Sequence, residues 1–316
     1  MEAEYTHLFG PVPSRRLGLS LGVDLVPYKV CSFDCVFCQL GRTTEKTVHR
    51  REYVDTDSVL AELDSWITAG GHADYITLSG SGEPTLNTHF GAVIDFVRKR
   101  TEIPVALLTN GSLLVSDDVR HAAVRADVVK VSLSAWDQTS LQHINRPAPG
   151  IEFESQLEGQ RLLRKEYSGE IWMEVFLVWG MNTTGKDVQA IAELAKSVGP
   201  DRIQLNTAIR PPCEAFVEAV PRDLLAELAL LFDPPAEIIA EFSSDRSESV
   251  KADETAVLGM LQRRPCTLDD ICTVFGMHRN EALKYVGKLT RTGLALQHAK
   301  QGRTYFYAKR GSDEIE

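Results

Sequence analysis

No stretch of this 316-residue chain approaches the ~20 consecutive apolar residues that a membrane span requires; the best run, Ile171 to Trp179, is short and carries Glu174. The first ten residues include Glu2 and Glu4 and lack the apolar core of a secretory signal. Together these absences predict a cytoplasmic chain with reduced thiols. Internal repeats and low-complexity tracts are missing too, and the composition excludes disordered, collagen-like and coiled-coil classes. What remains is an ordinary globular composition, 43% hydrophobic and 25% charged, long enough for one core of about two hundred residues and a smaller appended domain.

The net charge of -10 conceals two parts of opposite sign. Residues 255–311 hold ten Lys and Arg against Asp269, Asp270 and Glu281, a net +7, whereas residues 1–254 carry -14 and the tail 312–316 adds -3 through Asp313, Glu314 and Glu316. A basic terminal module on an acidic body points to a polyanionic partner.

From residue 54 to residue 206, short β-rich runs alternate with amphipathic stretches. The runs are Tyr75–Ser79, Pro104–Thr109, Val128–Ser134, Ile171–Val178 and Ile203–Asn206. Helical spacing recurs at 54–69, 87–100, 116–125, 152–165 and 186–198. With Leu19–Leu25 as a further strand, about six β/α units predict a parallel sheet with right-handed crossovers. The fold class expected is α/β: a partial (β/α)6 TIM-like barrel over 1–235, whose strand ends carry the chemistry. A linker is expected over 236–253, after Pro234-Pro235, and a second domain over 254–311. Helical patterns at 253–263, 267–275 and 278–291, followed by Leu294–Gln297 and Thr304–Ala308, match a winged-helix arrangement.

Three of the six cysteines form the array Cys31-x₃-Cys35-x₂-Cys38. Three thiols in eight residues are poor core patterning, and structural zinc wants four ligands, commonly in paired sets that have no second member nearby. Three close thiolates suit three irons of a cubane and leave the fourth iron open. Cys213 reads as a lone thiol, and Cys266 and Cys272 as core.

The array, with Phe37 before its last cysteine on the loop after the first strand, resembles the radical S-adenosylmethionine (SAM) superfamily over roughly residues 8–210. Within it the chain is similar to the tRNA wybutosine-synthesising enzymes and their prokaryotic relatives, through Leu78-Ser79-Gly80 with Gly82-Glu83-Pro84, Val131 to Ser134 with Arg146-Pro147, and Leu177 to Asn182. Residues 1–30 contain none of the cysteines that would hold that type's second cluster. The resemblance implies a 4Fe-4S cluster on Cys31, Cys35 and Cys38, SAM chelated on the open iron, and reductive cleavage to a 5′-deoxyadenosyl radical. It implies SAM contacts from Gly80, Gly82 and Glu83 toward the amino group, from Asn110 after the third strand, and from Ser132, Ser134 and Asp137 toward ribose and carboxylate. Val178 and Asn182 would lie near adenine, and an external one-electron reductant is needed.

Short polar residues at strand ends also satisfy backbone groups, so the alternative role of Asn110, Ser132, Ser134 and Asp137 is local. Arg15 and Arg16 are candidates for a phosphate or carboxylate contact, or for plain surface. In the third C-terminal helix, Ala282, Leu283, Val286 and Leu289 form an apolar face and Lys284, Lys288 and Arg291 a basic one. With Lys300 to Arg303 and Tyr305 this predicts an RNA footprint for a tRNA-like substrate. Protein contact or a structural role are the other uses of such a domain. A protein or small molecule as substrate, and an iron–sulfur redox sensor that binds DNA, are the competing functions.

Overall fold

The computed structural model describes residues 5–239, 254–300 and 302–309. The sheet begins with an element that periodicity does not announce. Strand β1, Leu8–Ser14, folds back antiparallel on β2, Gly18–Val23, through Arg15, Arg16 and Leu17. Pro11 and Pro13 cannot donate to a ladder, and β1 tolerates them because it is the outer strand of its sheet. A two-residue parallel pair, β3 at Val30–Cys31 and β4 at Glu45–Lys46, then brackets the cysteine loop.

The chain next alternates as its pattern predicts. Helix α1 (Thr56–Thr68) precedes β5 (Tyr75–Leu78), α2 (Phe90–Arg100) precedes β6 (Val105–Leu108), and α3 (Asp117–Ala123) precedes β7 (Val128–Ser132). Helices α4 (Gln138–Ile144) and α5 (Phe153–Glu166) lead to β8 (Glu170–Leu177), α6 (Gly185–Val198) to β9 (Arg202–Thr207), and α7 (Arg222–Ala229) to β10 (Glu237–Ile238). The sheet order is β1-β2-β5-β6-β7-β8-β9-β10, parallel throughout from β2 onward. Spatial order follows chain order, so every crossover steps the same way, as in a barrel rather than a doubly wound sheet. Among the described residues β1 and β10 do not pair, and the sheet stays open between them.

Alternation along the strands sorts the two faces. Ile76, Leu107, Val129, Met173, Val175 and Leu205 join Val59, Leu63, Ile94 and Ile191 of the helices in one core. The opposite face carries Ser20, Thr77, Lys130, Glu174, Gln204 and Asn206, all buried or nearly so. A polar lining on the concave side therefore sits on an apolar outer layer.

Two expectations change in extent. Residues 237 and 238 pair with β9, so the sheet runs past 235; the remainder of the expected linker, 240–253, lies outside the described residues. Helices α4 and α7 were not among the expected elements.

The C-terminal unit comprises α8 (Glu254–Arg263), β11 (Cys266–Thr267), α9 (Leu268–Phe275), α10 (Arg279–Arg291), β12 (Ala295–Lys300) and β13 (Arg303–Ala308), with sheet order β11-β13-β12. Val257, Leu261, Ile271, Val286, Leu289 and Phe306 form its own core, which includes Cys266. Leu283 departs from the expected apolar face of α10: it is 48% exposed, and Tyr285 packs in its place. The hairpin is not free either. The Tyr305 hydroxyl donates to the Ile209 carbonyl at 2.8 Å and Lys300 Nζ to that of Val217 at 3.2 Å, so β12 and β13 lean on the barrel. Gln301, within the expected wing, is outside the described residues.

Candidate active site

The loop from Cys31 to Cys38 is clamped before any cofactor is considered. Asp34 N donates to the Asn145 carbonyl at 3.0 Å and Val36 N to that of Ile144 at 3.0 Å, while Thr43 N and Oγ1 reach Asp34 Oδ1 and the Phe33 carbonyl at 2.8 and 2.7 Å. Phe37 stacks on Phe176 with ring centroids 4.0 Å apart and an interplanar angle of 7°. That contact ties the last cysteine's neighbour to strand β8.

N–H groups face the sulfurs. Phe33 N lies 3.4 Å from Cys31 Sγ, Asn145 Nδ2 3.3 Å from Cys35 Sγ and Asn110 Nδ2 3.8 Å from Cys31 Sγ. Burial pushes the Cys31 thiol up to about 12, with the Glu83 carboxylate adding and Lys29 opposing. Burial likewise raises Cys35, with its neighbouring thiolates next in weight. Lys29 is 2% exposed, and its ammonium donates to the Gly41 carbonyl at 2.6 Å. Burial disfavours that ammonium, but the thiolates of Cys38 and Cys31 more than compensate and raise its pKa. The arrangement fits a centre held through three thiolates: soft donors, sulfur-directed N–H groups and one buried cation. Among the described residues no three His, Cys, Asp or Glu side chains converge on one point for a single ion, whereas cubane thiolates each take a different iron.

The glycine loop after β5 packs directly above this loop. Gly80 has φ +113°, and a Cβ there would collide with the Asp24 carboxylate; at Gly82 it would collide with the Val30 carbonyl. Glu83 N donates to that same carbonyl at 3.1 Å. The Glu83 side chain, 2% exposed, accepts four hydrogen bonds: Oε1 from Thr85 N (3.1 Å), Thr85 Oγ1 (2.6 Å) and Thr109 Oγ1 (2.7 Å), and Oε2 from Asn110 N (2.7 Å). Burial pushes its pKa up and the Asn110 N–H pulls it down. A carboxylate offers about four acceptor sites. Three of the four bonds converge on Oε1, while Oε2 takes only the Asn110 N–H and keeps a further acceptor position; the residue acts as a brace between the ends of β5 and β6.

The remaining strand-end residues divide. Asn110 Nδ2 donates to Ser32 Oγ at 2.8 Å, beside Cys31, so Asn110 reaches the cysteine loop. Ser132 lies on the concave face beside Lys130, and its carbonyl accepts from Gln156 and Gln160. Ser134 Oγ accepts from Phe176 N at 3.0 Å. Asn182, fully buried, accepts from Val178 N at 2.7 Å and donates to the carbonyls of Ser134 and Phe176 at 2.8 and 2.9 Å. All its polar atoms are engaged and Val178 is likewise buried, so both shape the β8 turn from behind. Asp137 is the N-cap of α4 in a capping box with Ser140, with its carboxylate at 2.7 Å from Ser140 N. Local geometry explains that aspartate without a ligand.

Sequence reading missed Lys29, Asn145 and Asp24. Asn145 sits beside the Arg146-Pro147 pair that the pattern marked, and nothing in sequence joins it to Cys35. Asp24 Oδ1 accepts from Ser81 N at 2.6 Å, and Oδ2 from Arg263 Nε and Nη2 at 3.1 and 2.7 Å. Farther along the concave face, Glu174 pairs with Arg16 and with Lys130 Nζ at 2.7 Å, and accepts from Asn206 Nδ2 at 3.0 Å. Arg15 donates to the Ile239 carbonyl at 2.7 Å and to Asn206 Oδ1 at 3.3 Å. Both arginines of the β1–β2 turn therefore reach inward across the open side of the sheet. Cys213 is half-buried, on the segment whose Glu214 N donates to the Val36 carbonyl at 3.1 Å. Among the described residues no helix is long and apolar enough to cross a membrane.

Comparison with known proteins adds four likenesses. A family model described as the radical SAM superfamily matches residues 25–205. A Brachyspira hyodysenteriae protein named GTPase Obg is 32% identical over 299 residues, 93% of this chain but 44% of its own length, so the chain spans less than half of that relative. A Methanocaldococcus jannaschii UPF0026 protein is 29% identical over 311 residues and 95% of both chains. Among solved structures, a radical SAM methyltransferase from Sphaerobacter thermophilus superposes with a TM-score of 0.53 at 16% identity, covering 71% of this chain and 66% of that one. That last likeness concerns fold.

Proposed function

The chain belongs to the radical SAM superfamily, and from that premise we propose that Cys31, Cys35 and Cys38 hold its 4Fe-4S cluster and that the glycine loop receives SAM beside it. When bound, the cluster and SAM supply a 5′-deoxyadenosyl radical, on one electron from an external reductant, that removes a hydrogen atom from substrate. The observation that carries the reading is the joint built by Glu83. One buried carboxylate fixes the β5 and β6 ends, which in turn hold Gly80, Gly82 and Asn110 against the cysteine loop.

Each residue then has a task. Gly80 and Gly82 let the glycine loop close onto Asp24 and Val30 beside the place we assign to the amino group of SAM, and Asn110 and Ser132 offer polar contacts at successive strand ends. Phe37 on Phe176 seals the side of the loop against water. Ser134, Val178 and Asn182 set the β8 turn, and Asp137 anchors α4. Anaerobic reconstitution with iron and sulfide, then reduction in the presence of SAM, tests the reading; absence of 5′-deoxyadenosine would sink it.

The substrate has two readings with an observation behind each. Lys284 and Arg291 on the outer face of α10, in a C-terminal unit that we read as a winged helix over 254–311, favour an RNA. The docking of β12–β13 on the barrel and the enclosure of the site by α8 favour a small molecule. Steep loss of tRNA binding with salt distinguishes the first from the second.

A further inference from the structure

One cavity of about 320 Å³ occupies the open side of the sheet. The β1–β2 turn, the end of the cysteine loop at Gln39 and Leu40, the glycine loop and helix α8 all contribute to its wall. Five arginines line it, Arg15, Arg16, Arg210, Arg263 and Arg264, and no aspartate or glutamate does. Two of the five are neutralised, Arg16 by Glu174 and Arg263 by Asp24.

The other three have no carboxylate. Arg15 meets only the neutral oxygens of Asn206 and Ile239. Among the described residues the guanidinium groups of Arg210 and Arg264 have no hydrogen-bond or ion-pair partner, and Arg210 is only 9% exposed. Asp270, the one carboxylate among the main charges that act on Arg210, is engaged with the backbone and hydroxyl of Thr267. Burial, then Arg210 and Arg16, press the Arg15 pKa down to about 9. Burial, then Arg264, lowers Arg210 as well. Three converging guanidinium groups that repel each other destabilise an empty pocket, and an anion with several acceptor oxygens would relieve them.

We propose that this cavity is the substrate's anion site and takes a small molecule bearing a phosphate group, held by Arg15, Arg210 and Arg264. A phosphate matches forked donors better than a single carboxylate, and the volume suits a small ligand. Met260 and Arg263 of helix α8, with Arg264 just past its end, roof the cavity, and a continuous polynucleotide backbone would have to displace them. The C-terminal unit thereby becomes a wall of the substrate pocket. The proposal rests on the preceding reading only for what happens to the substrate after it binds.

Thermal unfolding of the reconstituted holoenzyme is followed with inorganic phosphate, inorganic pyrophosphate, succinate and chloride at matched ionic strength, with and without SAM. Phosphate and pyrophosphate are expected to raise Tm, and succinate and chloride to do so far less. Arg264→Gln should raise Tm without anion, because repulsion is removed, and weaken pyrophosphate binding about tenfold or more by calorimetry. Arg210→Gln should weaken it similarly. Equal effects of all four anions, loss of pyrophosphate binding when SAM is present, or unchanged pyrophosphate affinity in both variants would overturn the proposal. So would a short RNA that displaces pyrophosphate and binds more tightly. Because 5′-deoxyadenosine is assayed separately, failure of radical chemistry leaves anion binding intact, and failure of the pocket leaves cleavage of SAM intact.

Discussion

Arg263 and Asp24 meet across the seam between the C-terminal unit and the barrel, with Nε and Nη2 both on Oδ2 at 3.1 and 2.7 Å. The other oxygen of Asp24 holds the Ser81 backbone N–H in the glycine loop. One carboxylate thus couples the position of α8 to the loop beside the cysteines. The guanidinium also lies 4.7 Å above the Phe9 ring, which fixes it from a second side.

Arg263→Ala should therefore act on the site from a distance. Leaving Asp24 without its cation should lower unfolding free energy by about 3 kcal/mol. SAM affinity should weaken in the same protein because Ser81 loses a fixed acceptor. Urea unfolding and SAM titration check both effects, and Arg263→Lys should restore part of the first but not the two-pronged geometry. Wild-type SAM affinity in Arg263→Ala would show that the coupling is absent.

Glu83→Gln tests the brace. The change keeps size and replaces one acceptor oxygen by a donor, which must face the Asn110 N–H or the Thr85 and Thr109 hydroxyls. A buried donor opposite a donor costs about 1–3 kcal/mol. A loss of stability together with weaker SAM binding is expected. If SAM affinity falls with stability untouched, Glu83 contacts the cofactor directly and the brace reading fails.

Much of this architecture is legible in sequence because parallel strands buried on an apolar outer layer write their own pattern. Val128 to Ser132 and Glu170 to Leu177 alternate between helix-facing and concave positions, and their ends carry the polar residues that attract attention. Sequence could not tell which polar ends face a ligand. Asn110 and Asn182 look alike in the chain, yet one reaches Ser32 beside Cys31 and the other is sealed in a turn. Strand β1 escaped because its prolines obey the rules of an edge. Arg15 and Arg16 were marked, but their meeting with Arg210 and Arg264 in one cavity depends on tertiary folding between parts of the chain that are far apart in sequence.

Asn145→Ala should change the electronic character of the cysteine site without removing a ligand. Its amide N–H points at Cys35 Sγ from 3.3 Å and favours added negative charge there. Removing it should make the reconstituted cluster harder to reduce, a more negative potential in an anaerobic redox titration, while the iron content stays near wild type. Cys35→Ser, by contrast, should lose both iron and SAM cleavage. Equal potentials in wild type and Asn145→Ala would show that the contact has no electronic role.

Glu174 gives the fold an acid limit. Burial alone would raise its pKa, but Arg16 and then Lys130 overcome that penalty and hold it far below the ordinary 4.5. A carboxyl whose folded pKa lies below its unfolded one contributes stability that is complete above the unfolded value and is lost as pH falls toward the folded one. Unfolding free energy should thus decline from about pH 5 downward, by at most ~1.4 kcal/mol per pH unit from this group. Glu174→Gln should flatten that limb. At pH 7 it should be less stable than wild type by about 3–5 kcal/mol, because Arg16 and Lys130 are left buried without their counter-charge. Urea denaturation of both proteins at pH 7, 5.5, 4.5 and 4 measures the two slopes, and parallel acid limbs would mean that the Arg16–Glu174–Lys130 group does not set the acid stability of the chain.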